Sequence, residues 1–216
     1  MMLKKSPNQK ISYYLIHGLD KKREVFMKTQ FRHFGIPSHD VVWINYPNQG
    51  DKIPDGICSN PNLTLGQIAI TYKHYLILEH IVKRKSEVSV IMEDNIEFLS
   101  NVPSRLDLYF SQLPSAWDLL FDSDFYGLRF IEEPLIENRI IYKKKNEVSD
   151  QCHGSSKGCH FFLITLSAAE KLLENFLPFN DVSDQFYNHL IRELNLNVYW
   201  AEPSNVHKIN RKSTWL

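Results

Sequence analysis

The chain has 216 residues, of which 43% are hydrophobic and 23% are charged, a composition typical of one globular domain. Lys plus Arg and Asp plus Glu both number 25, so the charge balance argues against a protein that binds nucleic acid or another long polyanion. The cysteines, Cys58, Cys152 and Cys159, lack the clustering of zinc ligands and favour free thiols in a reducing compartment.

The N-terminal part of the chain predicts a strand followed by a helix. Residues Ile11–Ile16 are rich in β-forming side chains, and a charged amphipathic segment covers residues 20–34. The apolar run is too short for the core of a signal peptide or for a membrane span, so we expect a cytoplasmic protein. Residues Val41–Ile44 predict a second strand, and the Pro and Gly residues of 46–61 predict a long loop.

The next segment predicts a helix and a buried strand. Thr64 and Gln67 have the spacing of a capping box, and apolar residues then recur with helical spacing to about residue 85. Residues 88–92 form a short apolar run of the kind that a buried parallel strand shows. This strand ends at the polar group Glu93-Asp94-Asn95.

A second predicted strand also ends in acidic residues. It covers residues 117–121, follows a predicted helix over 103–112, and leads into Asp122 and Asp124. Residues 127–157 are polar and irregular, so we expect a lid or an acceptor-binding loop there.

The last third of the chain continues the alternation of strands and helices. Residues 159–165 predict a strand, Ser167 and Glu170 form a second capping-box pattern that opens a helix, and residues 182–194 predict the final helix. The alternation indicates one α/β domain with a mostly parallel central sheet flanked by helices. Ligands of such sheets bind beyond the carboxyl ends of the strands, which is where the acidic groups fall.

Acidic side chains at strand ends are suited to holding a divalent metal, which acts as a Lewis acid on phosphate oxygens. Taken alone the pattern is weak, because such residues are more often solvated loop residues or helix caps. Its sequence context adds further motifs. They are Tyr-Leu-Ile-His-Gly-Leu-Asp-Lys-Lys-Arg at 14–23, Leu-Thr-Leu-Gly-Gln-Ile at 63–68 with His74, Val-Ile-Met-Glu-Asp-Asn at 90–95, Trp-Asp at 117–118, Gly-Ser-Ser-Lys-Gly-Cys at 154–159, and the looser matches at 178–184 and 198–203.

In this order the motifs resemble glycosyltransferase family 25, which includes lipooligosaccharide and collagen galactosyltransferases, over about residues 11–208. The resemblance implies a GT-A-like fold and an inverting transfer of galactose or another hexose from a UDP-sugar to a glycan or hydroxyl acceptor. It also implies help from Mn²⁺ or Mg²⁺ and a role in glycan or lipopolysaccharide biosynthesis. Within a single domain, 1–216, we expect residues 1–125 to bind the nucleotide sugar and residues 126–216 to serve the acceptor and catalysis.

The resemblance also suggests metal ligands. We expect Asp94 and Asn95 to bind the metal, with His207 returning from the C-terminal part as a third ligand, although an exposed tail histidine is an equal alternative. Asn95 stands where relatives have Asp, and Gln67 replaces their usual acid, which puts the donor and the activity in question. Asp122 and Asp124 form a literal D-x-D pattern and are the rival metal site.

The remaining site residues follow from the same motifs. Arg23, Thr64, Glu93 and Lys157 are the expected contacts of the nucleotide sugar, with surface charge as the alternative for Arg23 and Lys157. Asp184 is the expected general base. A helix cap at Asp184 or Asp181 is the alternative. A catalytically weak nucleotide- or glycan-binding module with the same fold is the second functional hypothesis, and a metal-dependent phosphodiesterase is a remote third.

Overall fold

The computed structural model describes residues 10–122, 134–143 and 158–209. Within these ranges the chain forms nine strands and five helices. In chain order they are β1 (Ile11–Ile16), α1 (Lys21–His33), β2 (Val41–Ile44), α2 (Leu65–Arg84), β3 (Val88–Glu93), β4 (Ile96–Phe98), α3 (Val102–Gln112), β5 (Leu119–Phe121), β6 (Ile141–Lys143), β7 (Phe161–Thr165), α4 (Leu166–Asn175), α5 (Ser183–Glu193), β8 (Val198–Ala201) and β9 (Val206–Lys208).

Seven of the strands form one mixed sheet in the order β2-β1-β3-β7-β5-β8-β6. β2, β1, β3, β5 and β8 run in one direction, while β7 and β6 run against their neighbours. The predicted α/β fold with a mostly parallel central sheet is therefore confirmed.

Side-chain alternation along the strands builds an apolar layer on each face of the sheet. Tyr14 and Ile16 of β1 pack with α2, α4 and α5, whereas Tyr13 and Leu15 pack with α1, α3 and the β4–β9 ribbon. Burial of these two layers is the main stabilising contribution to the fold. Among the described residues, no helix combines the length and the apolar character needed to cross a membrane.

Side-chain caps mark the start of α1, α2, α3 and α4. The predicted capping box of Thr64 and Gln67 is present at α2. The predicted box at Ser167 is wrong, because Thr165 caps α4 instead, its hydroxyl accepting a 3.2 Å hydrogen bond from the amide of Ala168. Thr165 is also the last residue of β7, so the strand passes directly into the helix.

The β4–β9 ribbon was not predicted. Its strands have three residues each, which is too short for a hydrophobic period to be visible. The ribbon begins directly after Asn95, and its antiparallel pairing sets His207 opposite Glu97. It therefore brings the C-terminal part of the described chain back to the end of β3.

Of the predicted lid at 127–157, the structure describes only residues 134–143. That stretch contains the short strand β6. The division of function at residue 125 stays a prediction. In the sheet itself, β7 from the later part lies between β3 and β5 from the earlier part.

Candidate functional site

The carboxyl ends of β1 and β3 meet at one edge of the sheet, because the two strands are parallel neighbours. His17 and Gly18 follow β1, and Asp94 follows β3. The amide of Asp94 donates to the carbonyl of Ile16 at 3.1 Å, which extends the ladder beyond the strands. Asp94 is only 2% exposed.

The carboxylate of Asp94 has hydrogen bonds to both of its oxygens. Oδ1 accepts from Arg23 Nη1 at 2.8 Å, and Oδ2 accepts from His17 Nδ1 at 2.7 Å and from the amide of Gly18 at 3.3 Å. Arg23 lies in the first turn of α1, whose amides are capped by Asp20. The cap thus positions a buried cation directly over the end of β3.

A second buried cation, Lys73, joins this cluster from α2. Its Nζ donates to the carbonyl of His17 at 2.6 Å and to Asn48 Oδ1 at 3.1 Å, so it ties the loop after β2 to the site. Burial lowers the pKa of Lys73 to about 8, although Asp94 partly opposes that shift. Sequence reasoning missed Lys73, because nothing local distinguishes it from an ordinary helix lysine; in the structure it lies on the buried stripe of α2 with Ala69 and Ile77.

Glu93 points to the α2 face of the sheet, as alternation from the buried Ile91 requires. Its Oε2 accepts from His160 Nδ1 at 2.8 Å and from Asn95 Nδ2 at 3.2 Å. Burial alone would raise the pKa of Glu93, but the charges of His160, His74 and Lys208 and the hydrogen bond from His160 lower it to about 2. Glu93 is therefore a buried, ionised carboxylate at neutral pH.

His74 and Cys159 lie beside the other oxygen of Glu93. His74 Nε2 is 4.0 Å from Glu93 Oε1 and 3.5 Å from Cys159 Sγ. Burial lowers the pKa of His74 to about 4, despite the attraction of Glu93, and burial raises the pKa of the Cys159 thiol. Neither His160 nor Cys159 was singled out from the sequence as a site residue.

Asp184 lies in the first turn of α5, where it is half-buried. Burial raises its pKa above the ordinary value, and the negative charge of Glu93 adds to the shift. Among the described residues, no side chain caps α5: Asp184 Oδ1 accepts from the next amide, Gln185, at 2.9 Å, and Asp181 Oδ1 accepts from Val182 at 2.8 Å. The helix-cap alternative for the two acids therefore has no support.

Asp122, from the rival metal pattern, links structural elements. Its Oδ2 accepts from the hydroxyl of Tyr109 on α3, and its Oδ1 accepts from the amide of Asn205, each at 2.6 Å. Complete burial raises the pKa of Asp122 to about 7, even though these hydrogen bonds favour the ionised form. Asp124 lies outside the described residues.

The β4–β9 ribbon presents His207 on one face and Lys208 on the other. His207 is exposed and lies opposite the exposed Glu97, while Lys208 lies opposite the buried Ile96. The charge of Lys208 is close enough to Glu93 to lower the pKa of that carboxyl. A further link joins the ribbon to the site, because the amide of Ile209 donates to the carbonyl of Asn95 at 2.7 Å.

The other expected contacts of the donor have different positions. Thr64 is committed to the α2 cap, where its hydroxyl accepts from the amide of Gln67 at 3.3 Å and lies 3.1 Å from Gln67 Oε1. Lys157 lies outside the described residues. The structure thus brings Arg23, Glu93 and Asp94 together at one edge of the sheet.

Comparison with protein families gives a match over most of the chain. The profile of glycosyltransferase family 25 (LPS biosynthesis protein) matches residues 2–187. No curated protein sequence matches significantly.

Several solved structures are similar in fold. The crystal structure of A197 from STIV has a TM-score of 0.51 at 11% identity, covering 91% of this chain and 83% of that chain. A glycosyltransferase involved in glycosylation of the major capsid of PBCV-1 has a TM-score of 0.49 at 9% identity, covering 94% of each chain. A Drosophila galactosyltransferase 7 mutant in complex with manganese, UDP-Gal and xylobiose has a TM-score of 0.45 at 12% identity, covering 93% of this chain and 68% of that chain. At such identities the first similarity shows the fold alone, and the two lower scores carry no argument.

Proposed function

The chain belongs to glycosyltransferase family 25, and on that basis we propose that it transfers galactose or another hexose from a UDP-sugar to a hydroxyl group of a glycan, with inversion at the anomeric carbon. The resemblance seen in the sequence motifs is thereby confirmed, and with the mixed seven-stranded sheet it supports the GT-A-like fold class. The family description, LPS biosynthesis, favours a lipopolysaccharide glycan as the acceptor.

The observation that carries the proposal is the buried cluster of Arg23, His17 and Asp94 beyond the ends of β1 and β3. Parallel α/β sheets bind ligands at this edge. A nucleoside diphosphate is a doubly charged leaving group, so its site must offer positive charge. Arg23 and Lys73 bring two cationic side chains to this edge from different helices.

We assign Arg23 the role of contacting the diphosphate. A guanidinium presents paired donors whose geometry matches phosphate oxygens. In the described structure one of these donors is on Asp94. Binding of the nucleotide sugar would either give Arg23 a second anionic partner or replace Asp94 by the diphosphate. In the second case an oxygen of Asp94 becomes free.

Two described oxygens fit a divalent metal at this edge. Asn95 Oδ1 is buried and has no hydrogen-bond partner among the described residues. Asp94 fits once Arg23 or His17 leaves one of its oxygens. We also retain His207, which lies on the exposed face of the adjoining ribbon and is open to a ligand. When bound, Mn²⁺ or Mg²⁺ would neutralise charge on the leaving diphosphate.

Asp184 is the proposed general base. The acceptor oxygen attacks the anomeric carbon, its proton passes to the Asp184 carboxylate, and the bond from that carbon to the diphosphate oxygen breaks with its electron pair leaving on the diphosphate. Burial and Glu93 raise the pKa of Asp184, which makes its ionised form a stronger base than an ordinary aspartate.

A panel of nucleotide sugars tests the function directly. The 216-residue chain is incubated with UDP-sugars and GDP-sugars, with and without Mn²⁺, in the presence of lipopolysaccharide core glycans, and products are identified by mass spectrometry and NMR. We expect a glycan one hexose larger, formed from a UDP-sugar, with an anomeric configuration opposite to that of the donor. Transfer from GDP-sugars alone, or retention of configuration, would contradict the proposal.

The binding-module hypothesis remains the second candidate because of two departures from the family pattern. Asn95 is uncharged where relatives have Asp, and Gln67 replaces their usual acid. In the structure, Asp94 is also engaged by Arg23 and His17. Saturable binding of UDP without transfer to glycans and without hydrolysis of any UDP-sugar would favour this hypothesis over the enzyme.

A further inference from the structure

We propose that His74, Glu93 and Cys159 bind one zinc ion beneath the edge of the sheet. Among the described residues, these three side chains form a group whose potential ligand atoms all lie within 4.8 Å of one another. This proposal goes beyond glycosyl transfer and does not depend on it, because it concerns a buried site on the α2 face of the sheet.

The distances between the ligand atoms resemble the edges of a zinc tetrahedron. His74 Nε2 is 3.5 Å from Cys159 Sγ and 4.0 Å from Glu93 Oε1, and Cys159 Sγ is 3.9 Å from Glu93 Oε1. Zinc bonds to nitrogen, oxygen and sulfur give tetrahedral edges of about 3.3–3.6 Å. The distance between His74 Nε2 and Cys159 Sγ is already in this range, and the two distances to Glu93 Oε1 need to shorten by no more than about 0.7 Å, within the reach of small side-chain rotations.

Three separate elements supply the ligands. His74 lies on α2, Glu93 is the last residue of β3, and Cys159 lies two residues before the start of β7. All three are buried. Only the folded chain brings them together, which is why the spacing of the cysteines gave no sign of a zinc site.

The three ligand atoms favour zinc over Mn²⁺ and Mg²⁺, the metals expected at the nucleotide-sugar site. Nitrogen and sulfur ligands suit Zn²⁺, whereas Mg²⁺ and Mn²⁺ prefer oxygen. On binding, a zinc–sulfur bond forms and the thiol proton of Cys159 is released to solvent. The thiolate and the Glu93 carboxylate together balance the charge of Zn²⁺, so the centre is neutral, as a buried site requires.

Neighbouring side chains hold the ligands in place. His160 Nδ1 donates to Glu93 Oε2, which leaves Oε1 on the side of His74 and Cys159. Such outer hydrogen bonds orient carboxylate ligands in protein metal sites. Ser183 Oγ lies 3.3 Å from Cys159 Sγ and offers an oxygen, direct or through water, for a fourth ligand. Zinc here would fasten the end of β3 to the start of α5.

Metal analysis and cobalt substitution test the site without any donor or acceptor. The tag-free 216-residue protein is desalted and its zinc content is measured by mass spectrometry. The metal is then replaced by Co²⁺, whose bond to a thiolate gives a charge-transfer absorption band. We expect one equivalent of metal and the thiolate band in the wild type. No bound zinc and no thiolate band in the wild type would overturn the proposal.

Variants assign the ligand. Cys159→Ala and the near-isosteric Cys159→Ser should lose the thiolate band and bind zinc at least about tenfold more weakly. Circular dichroism checks that each variant is folded. Cys58→Ala and Cys152→Ala are matched controls, which should keep the band. A band that survives in Cys159→Ser, or disappears in either control, would place the metal elsewhere and overturn the assignment.

Discussion

Arg23 Nη1 donates to Asp94 Oδ1 at 2.8 Å, and this pair joins residues that are 71 positions apart in the chain. Both side chains are almost completely buried. A buried ion pair contributes little net stability unless its geometry is good, and breaking it leaves an uncompensated charge. In the proposed enzyme the pair holds Arg23 at the donor edge until a diphosphate binds.

Replacement of Arg23 tests its contact with the diphosphate. Arg23→Gln should weaken binding of UDP about 10–100-fold, the effect of losing a hydrogen bond between charged groups, and should leave the binding of uridine unchanged. Isothermal titration of UDP and of uridine measures both. Lys22→Gln, at an exposed lysine in the same helical turn, is the matched control. An equal loss of uridine and UDP binding in Arg23→Gln would argue for a merely structural arginine.

Replacement of Asp184 tests the general base. Asp184→Asn should lower kcat about 10²–10⁴-fold while leaving UDP binding nearly unchanged. The same change at the exposed Asp181 should have little effect. Because burial and Glu93 raise the pKa of Asp184, the wild-type rate should fall on acidification at a higher pH than for an ordinary aspartate. Full turnover in Asp184→Asn would exclude the role.

The stability of the protein should depend on pH through Asp122. Burial raises its pKa from 3.8 in the reference state to about 7 in the folded chain, so the folded state binds the proton more tightly between these values. The contribution to the free energy of unfolding is therefore present at low pH and is lost as pH rises towards about 7. Asp122→Asn cannot ionise; its amide oxygen can still accept from the amide of Asn205, and its amide nitrogen would donate to the Tyr109 hydroxyl in place of accepting from it.

Urea unfolding of wild type and Asp122→Asn across this pH range measures the effect. The variant should gain stability relative to wild type as pH rises, because the other titrating groups are common to both proteins. A difference that stays constant with pH would show that Asp122 titrates normally.

His207 is tested as a third metal ligand. If it binds the metal, His207→Gln should weaken the Mn²⁺-dependent part of UDP binding about 10–100-fold and leave metal-free binding unchanged. Glu97→Gln, which changes the residue opposite it in the ribbon, is the control. An unchanged Mn²⁺ response in His207→Gln would limit the proposed ligands to Asp94 and Asn95.

The sequence predicted most of the fold because the main strands and helices have clear periodicity. β1 and β2 were found with their predicted bounds, and α2 begins at its capping box. The β4–β9 ribbon was missed because three-residue strands show no period. The α4 cap was misassigned because Thr165 belongs to both a strand and a cap.

The site was predictable only where its residues follow strand ends or family motifs. Arg23, Glu93 and Asp94 were predicted in this way; the structure places them near one another, and their roles stay predictions. Lys73 resembled an ordinary helix lysine, and its burial depends on the packing of α2 against the sheet. The pairing of β7 with β3 places Cys159 near Glu93, and the packing of α2 against the sheet adds His74; no local pattern encodes either contact.

The central claim is that the nucleotide sugar binds at the Asp94 edge of the sheet with help from a metal. Isothermal titration of UDP with and without Mn²⁺ tests it most directly, in wild type, Asp94→Asn and Asp122→Asn. We expect Mn²⁺ to strengthen UDP binding in wild type and in Asp122→Asn, and Asp94→Asn to lose about 10–100-fold of the affinity measured with Mn²⁺. An equal response to Mn²⁺ in Asp94→Asn, or its loss in Asp122→Asn instead, would contradict the account.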